Sequence, residues 1–495
     1  MSTLDRRSFV QTLALAGLGT GTMACSEAAP PTDAAGTAAD AAGPDTRVAE
    51  DVTRRLARYV VSARAADLPE GVRKEARRTL VNWVGCAVGG SRHPTVDIAL
   101  AALAPFAGPP QASVLGRRER LDVLHAALVN GISSHVHDYD DTHLATVIHP
   151  AGPVVSAILS LAEYRPVSGA DFLHALVLGV EVECRIGNAV YPDHYDRGWH
   201  ITGTAGVFGG AAAAGRLLGL SEQQMVWALG LAASQPVGLR EMFGSMTKSF
   251  HPGRAAQNGL TAALLAARDF TSTDVGLEGK SGWANVLSTK QDYERITTGL
   301  GETYEILQNT YKPFACGIVL HPIIDGCIQL RHEHALAAGG IDRVELRVHP
   351  LVLELTGKTS PQTGLESKFS VYHAAAVAIV QGAGGVRQFS DAAVQDPVVA
   401  ALRRRVVATI DPAVGPAQAR VAVVLADGRS VDLFIEHVVG SVERPMSDAD
   451  LEAKFLGLAE GVLPADRTRR LIDLCWQIDD LPGVAAVAAA SQPAA

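Results

Sequence analysis

The sequence predicts a mainly α protein, with a large all-helical domain formed by both chain ends and a smaller α+β lid domain inserted between them. Three observations predict it. Apolar residues recur at helical spacing through most of residues 48–288, as in Val52, Leu56, Tyr59, Val60 and in Val72, Ala76, Leu80, Trp83, Val84. The chain is 47% hydrophobic but only 5% aromatic, with 48 glycines, a composition that suits closely packed helices better than a β-sandwich. From Ile341 onward the pattern changes to alternation of apolar and polar residues, the period of strands.

Taken in order, the chain opens with Arg6-Arg7-Ser8-Phe9-Val10, a twin-arginine motif, followed by a moderately apolar run and small residues up to Cys25. Residues 1–25 are therefore expected to be a twin-arginine signal, with export to the periplasm and Cys25 as a candidate lipid anchor. Residues 26–45, rich in Ala, Pro, Gly and Thr, read as a disordered tether. Residues 46–302 then form the first part of the helical domain. Leu68-Pro69-Glu70 starts one helix, with Pro in the first turn. Gln111–Leu115 is a short strand-like insert, and the span from Leu121 to Asp141 reads as one helix. Ser168-Gly-Ala-Asp171 and Ser221-Glu-Gln-Gln224 are capping signals for two more helices.

Two further helices, one from Thr202 and one from Gly253, carry glycine and alanine at helical spacing and are expected at the centre of a tight bundle. Residues 303–438 form the lid. Ile341–Val348 is its first strand, and Val421–Leu425 with Val431–Ile435 flanks Ala426-Asp-Gly-Arg429, a hairpin signal. Helical segments lie between them at His321–Arg331, Ser370–Val380 and Asp396–Arg404. Residues 439–484 return to the helical domain, and 485–495 read as a disordered tail.

The net charge of −9 and the lack of a basic run exclude nucleic acid as a partner. No apolar run past the signal is long enough for a transmembrane span. The cysteines after Cys25 are odd in number and widely spaced, so they read as core residues, not as a disulfide framework or a metal site.

Chemistry concentrates between Asn130 and Pro150. There Asp138, Asp140, Asp141, Thr142, His143 and His149 fall between two apolar runs. Carboxylates and imidazoles are costly to bury unpaired, so they are expected to line a polar pocket. If the segment is helical to Asp141, Asp138 and Thr142 share a face. His200 precedes the glycine-rich helix, at an N-terminus that favours anions. Lys248, His251 and Arg254 cluster at another helix start, and Lys312 and His321 bracket an apolar turn at the lid's beginning. Cationic groups at several loop-to-helix junctions of an acidic chain suit a small anionic substrate.

These blocks resemble the MmgE/PrpD family: Asn130-Gly through Asp138-Tyr-Asp-Asp-Thr142-His143 to His149-Pro150, Gly198-Trp-His200-Ile-Thr202-Gly-Thr204, Thr247-Lys248 with His251-Pro-Gly, Gly276-Leu-Glu-Gly279, and Lys312-Pro-Phe with His321-Pro322. The resemblance covers about residues 48–482. It implies a helical domain with an α+β lid, a homodimer, and a lyase or isomerase pocket for a small di- or tricarboxylate that uses no cofactor and no metal. Within that family the reading favours a hydro-lyase of the 2-methylcitrate dehydratase kind, with decarboxylation or epimerisation as alternatives. The positions carried over are Asp138, Thr142, His149, His200 and Lys248, with Lys312 and His321. A His and a Tyr of the cis-aconitate decarboxylase pocket fall on Gly317 and His373 here, a departure from that pattern.

The expected roles are His149 as general base, Asp138 orienting it, and Thr142 holding a substrate oxygen. Lys248, His200 and Arg254 would clamp carboxylates, and Lys312 or His321 would protonate a leaving hydroxyl. His251, His143 and His373 are expected as further binding residues. Three rivals stand beside this reading: an Asp-x-Asp-Asp carbocation cyclase, which the scarcity of aromatics opposes; a divalent-metal site in the Asp/His cluster; and an exported carboxylate-binding protein without activity.

Overall fold

The computed structural model describes residues 51–493; the expected twin-arginine signal over 1–25 and the tether over 26–45 lie outside the described residues. The helical body is built from α1 (Glu70–Gly90), α2 (Val123–His135), α3 (Ala151–Tyr164), α4 (Gly169–Val190), α5 (Ile201–Leu218) and α6 (Met246–Ala266), with shorter helices around them. No helix among the described residues is long and apolar enough to cross a membrane. The five described cysteines are free and buried.

Small residues set the spacing of the central helices. A Cβ placed on Gly253 of α6 would lie 2.3 Å from the Leu128 carbonyl oxygen of α2, and one on Gly131 would lie 2.3 Å from the Gly253 Cα. Gly259 of α6 would similarly meet the Val207 carbonyl of α5 at 2.6 Å. Backbones therefore touch where side chains would otherwise hold them apart. Helix α6 begins at Met246, two turns before the start read from sequence, and carries Pro252 inside it. The proline does not stop the helix because close packing against α2 and α5 holds its backbone in place.

Helix α2 ends at His135, not at Asp141. Asp138 takes a left-handed backbone (φ 50°), which a short polar side chain tolerates. Residues Asp141–His143 then form strand β1, paired antiparallel with β2 (Asn309–Tyr311). Asp138 and Thr142 thus share no helix face.

In the lid, β3 (Ile341–Val348), β4 (Val406–Ile410), β5 (Ala419–Leu425) and β6 (Ser430–Ile435) form one sheet in the order β4-β3-β5-β6. The β3–β4 pair is parallel and the other two are antiparallel. Its apolar face packs with α7 (His321–Glu333) and α8 (Val371–Gln381) into a core of its own, from Phe314 to Val423. After the lid the chain returns. Phe455 of α9 (Asp448–Ala459) and Leu471 of α10 (Ala465–Trp476) join the core of α1. The tail expected at 485–495 instead holds a helix, α11 (Ala485–Ala490), because Val484, Val487 and Ala488 supply an apolar face that buries completely or nearly so.

Candidate active site

Residues far apart in the chain converge on a small chamber between body and lid. The body contributes Asp138, His149, Tyr195, His200, Phe243 and Lys248, and the lid side contributes Lys312, Gly317, Ile318, Leu355 and Phe369. Each polar group arrives on a defined support. The left-handed turn after α2 aims Asp138, while His149 lies just before α3. His200 caps α5, Lys248 lies in the first turn of α6, and Lys312 follows β2.

The hydrogen bonds fix the protonation states. His149 Nδ1–H donates to the Asp141 carbonyl at 2.7 Å, with Thr142 Oγ1 at 3.3 Å and Asp140 Oδ1 at 3.5 Å. A carbonyl only accepts, so Nδ1 carries the proton and Nε2 is left with its lone pair in the chamber. Burial, with Lys312 and Lys248 nearby, holds this imidazole well below its usual range, so it is neutral. His135 Nδ1–H donates to Asp140 at 2.6 Å, and the Lys248 ammonium donates to His135 Nε2 at 2.7 Å.

Lys248 also meets Asp138 Oδ1 at 3.1 Å, and Lys312 donates to the same oxygen. Burial would raise the Asp138 carboxyl, but the two ammonium groups hold it well below the usual carboxylate range. Burial lowers Lys248 despite Asp138, whereas for Lys312 the attraction of Asp138 and Asp140 outweighs burial and raises it. The result is an alternating line of charge, Asp140, His135, Lys248, Asp138, Lys312, with two carboxylates balancing two ammonium groups. Asp138 Oδ2 has no hydrogen-bond partner.

Of the residues singled out from sequence, His149, His200, Lys248, Asp138 and Lys312 line the chamber. The role expected for Asp138 is corrected: it pairs with the lysines, and the Asp141 carbonyl orients His149. Thr142 stands behind His149, holding the ring and not a substrate. His251 supports from outside, its Nδ1 2.8 Å from His200 Nδ1.

The remaining residues singled out from sequence do not line the chamber. Arg254 is exposed and donates to Gln257 on its own helix. His143 is held by Thr146 and Glu305. His373 donates to the Gln388 carbonyl in the lid core. His321 lines a neighbouring cavity, not the chamber. Sequence reading missed His135, Tyr195, Phe243 and Phe369, and gave Asp140 no role of its own. His135 had one usable signal, its place three residues before Asp138 at a helix end.

Two histidine-rich groups, His135 with His149 and His200, and His135 with Asp138, Asp140 and His149, have ligand atoms close enough for a metal ion. Two of these ligand atoms are already engaged, His135 Nε2 by Lys248 and Asp138 Oδ1 by both lysines. A divalent cation would have to displace two ammonium groups, so the donor set fits an anion better than a metal.

The chain is similar to several known proteins. Cis-aconitate decarboxylase of Aspergillus terreus is 27% identical over 472 residues, covering 89% of this chain and 96% of that protein. The human cis-aconitate decarboxylase is 26% identical, over 87% of this chain and 92% of that protein. The 2-methylcitrate dehydratase of Cupriavidus necator is 24% identical, over 74% and 82%. These relatives are lyases. The MmgE/PrpD N-terminal domain model matches residues 54–296 and the MmgE/PrpD C-terminal domain model matches 314–478, most of the sequence, so this chain belongs to the MmgE/PrpD family.

Proposed function

We propose that the protein is a lyase that removes water from a small hydroxylated polycarboxylate, with His149 as the base. The observation that carries this reading is the unprotonated Nε2 of His149 in the same chamber as two ammonium groups. Substrate carboxylates bind Lys248 and Lys312 through charge-assisted hydrogen bonds, taking over contacts that Asp138 makes in their absence. His149 Nε2 takes a proton from the carbon next to a carboxylate, and the lysines stabilise the negative charge that develops on that carboxylate. The electron pair of the C–H bond becomes the new double bond. The hydroxyl leaves as water with a proton from Lys312, and the proton taken by His149 then passes through solvent back to Lys312, so both groups return to their starting states.

The chamber holds about 40 Å³, room for one water and not for a tricarboxylate. Binding therefore requires the lid-side wall, Gly317 to Val319 with Phe369, to part from Phe243 and Tyr195.

Decarboxylation is the second reading, favoured by the longer and slightly higher identity to the cis-aconitate decarboxylases. Gly317 and His373, where the family resemblance puts a His and a Tyr in those enzymes, weigh against it. The test is incubation with a panel of hydroxylated and unsaturated polycarboxylates, products read by mass spectrometry. Loss of water supports the first reading and loss of carbon dioxide the second. His149→Ala and Lys248→Ala are each expected to lower kcat at least about a hundredfold while circular dichroism is unchanged. Full activity in both variants removes the assignment.

A further inference from the structure

Beside the chamber lies a second cavity of about 110 Å³. Val147, Ile318 and Val319 line both and form a wall that the two share. The second cavity is walled by Leu144, Tyr191 and Leu351 among others, with exposed Pro416 and Ala417 at its outer rim. The chemistry of the two spaces differs sharply. The chamber carries two ammonium groups and a neutral base, whereas the second cavity is apolar except for hydroxyl groups at its edge and one imidazole.

That imidazole is His321, fully buried, with only the Cys316 backbone beside it and no well-aligned hydrogen bond from either ring nitrogen. A buried polar group without a partner is costly and calls for an explanation. One further feature marks the dividing wall: Val147 has φ 55°, a left-handed conformation that β-branched residues rarely adopt. Strain of this kind is retained where surrounding structure fixes it, and here it sits in the residue that faces both spaces.

We propose that the second cavity is a substrate subsite, which takes a short, mainly apolar arm on the polycarboxylate held in the chamber. This rests on the chamber being the polycarboxylate site. At about 30 Å³ for each water-sized unit, the cavity has room for an arm of about four heavy atoms. An oxygen on that arm would give His321 the partner it lacks. The favoured substrate is then a polycarboxylate extended by a three- or four-carbon chain, in preference to an unsubstituted acid.

The test uses 2-alkylcitrates from methyl to hexyl, citrate itself, and a 4-hydroxybutyl analogue. Binding is measured by calorimetry to the His149→Ala protein, which reads the cavity without chemistry, and kcat/KM is measured on the unaltered protein. Affinity is expected to rise about fourfold per methylene up to about four carbons and then level off. Leu351→Trp, which fills the cavity from a residue that does not itself line the chamber, is expected to abolish the rise and leave citrate binding unchanged. His321→Leu is expected to remove any advantage of the hydroxybutyl over the butyl arm and to leave the alkyl series intact.

A flat series, or a rise that Leu351→Trp does not touch, overturns the proposal. A rise in binding without turnover of any acid keeps the subsite and overturns the lyase reading. Turnover of citrate with a flat alkyl series does the reverse.

Discussion

Asp138 stands between two buried ammonium groups, in the place that a carboxylate of the proposed substrate would take. Removing one partner of such a buried pair leaves the others uncompensated, at a cost of about 3–5 kcal/mol. Asp138→Asn keeps the left-handed backbone accessible but removes the charge, and Lys248 and Lys312 then repel each other. A denaturation midpoint well below that of the unaltered protein is expected. Added polycarboxylate should raise the variant's midpoint more than it raises the unaltered protein's, because the ligand supplies the missing charge. Equal shifts in both proteins would show that the ligand does not meet these lysines. A second expectation belongs to His149. Its folded pKa lies well below 6.5, so it remains a free base through neutral pH. The kcat/KM profile should therefore show no ionisation of this group between pH 6 and 8; an acid limb centred on 6.5 that vanishes in His149→Gln would contradict the neutral tautomer assigned here.

At the scale of elements, the contact of α2 with α6 positions half of the charge line, since His135 ends one helix and Lys248 begins the other. Gly253→Ala would force a methyl to within 2.3 Å of the Leu128 carbonyl, so the helices must separate. The expected result is a loss of at least about 1–3 kcal/mol in stability. Turnover should fall further than that loss accounts for, because the 2.7 Å bond from Lys248 to His135 cannot survive the shift. Activity retained in a folded Gly253→Ala protein would show that this bond is dispensable. The sequence made these helices readable because small residues at helical spacing have few other uses. Strands β3, β5 and β6 were readable from alternation, and the helix starts at Ser168 and Ser221 from their capping patterns. Strand β4 was not, because Val406–Ile410 is a short run between an arginine cluster and Asp411-Pro412 with no charged residue to mark its period. The end of α2 was missed for a related reason. Asp138 takes a backbone conformation that only local geometry reveals, and once the helix was drawn through it, His135 and Asp140 had no visible role. His149, His200, Lys248 and Lys312 were found because each lies at a junction where a charged side chain is conspicuous against apolar neighbours.

For the whole molecule, the number of histidines buried in the neutral form makes stability depend on pH. Burial pushes His137, His251 and His321 down to about 3, and His174, His194 and His373 down to about 4. In the unfolded chain each titrates near 6.5. Between those values the unfolded state binds more protons than the folded state, so the stability these groups contribute is full above pH 6.5 and is lost as pH falls toward 4. Four carboxyls act in the opposite sense, Glu75 and Glu183 among them, both raised by burial. Asp141, raised to about 7 by burial and the neighbouring Asp140, and Glu181, raised to about 7 by burial, hold protons in the fold that they lose on unfolding. Their contribution is full below about pH 4 and is lost as pH rises through 7. These histidines, with His93, His135, His149 and His200 lowered in the same sense, outweigh the four carboxyls, so the thermal midpoint should fall steadily from pH 7 to pH 4.5, with its onset near 6.5. Asp141→Asn separates the two effects, since the amide oxygen can still accept from the Ala151 amide and Asn309 while no longer titrating. Relative to the unaltered protein, this variant should gain stability at pH 8 compared with pH 5, where both side chains are neutral. A midpoint that stays level between pH 7 and 4.5, or an Asp141→Asn difference that does not change with pH, would mean that these buried groups are not held in the protonation states their surroundings dictate.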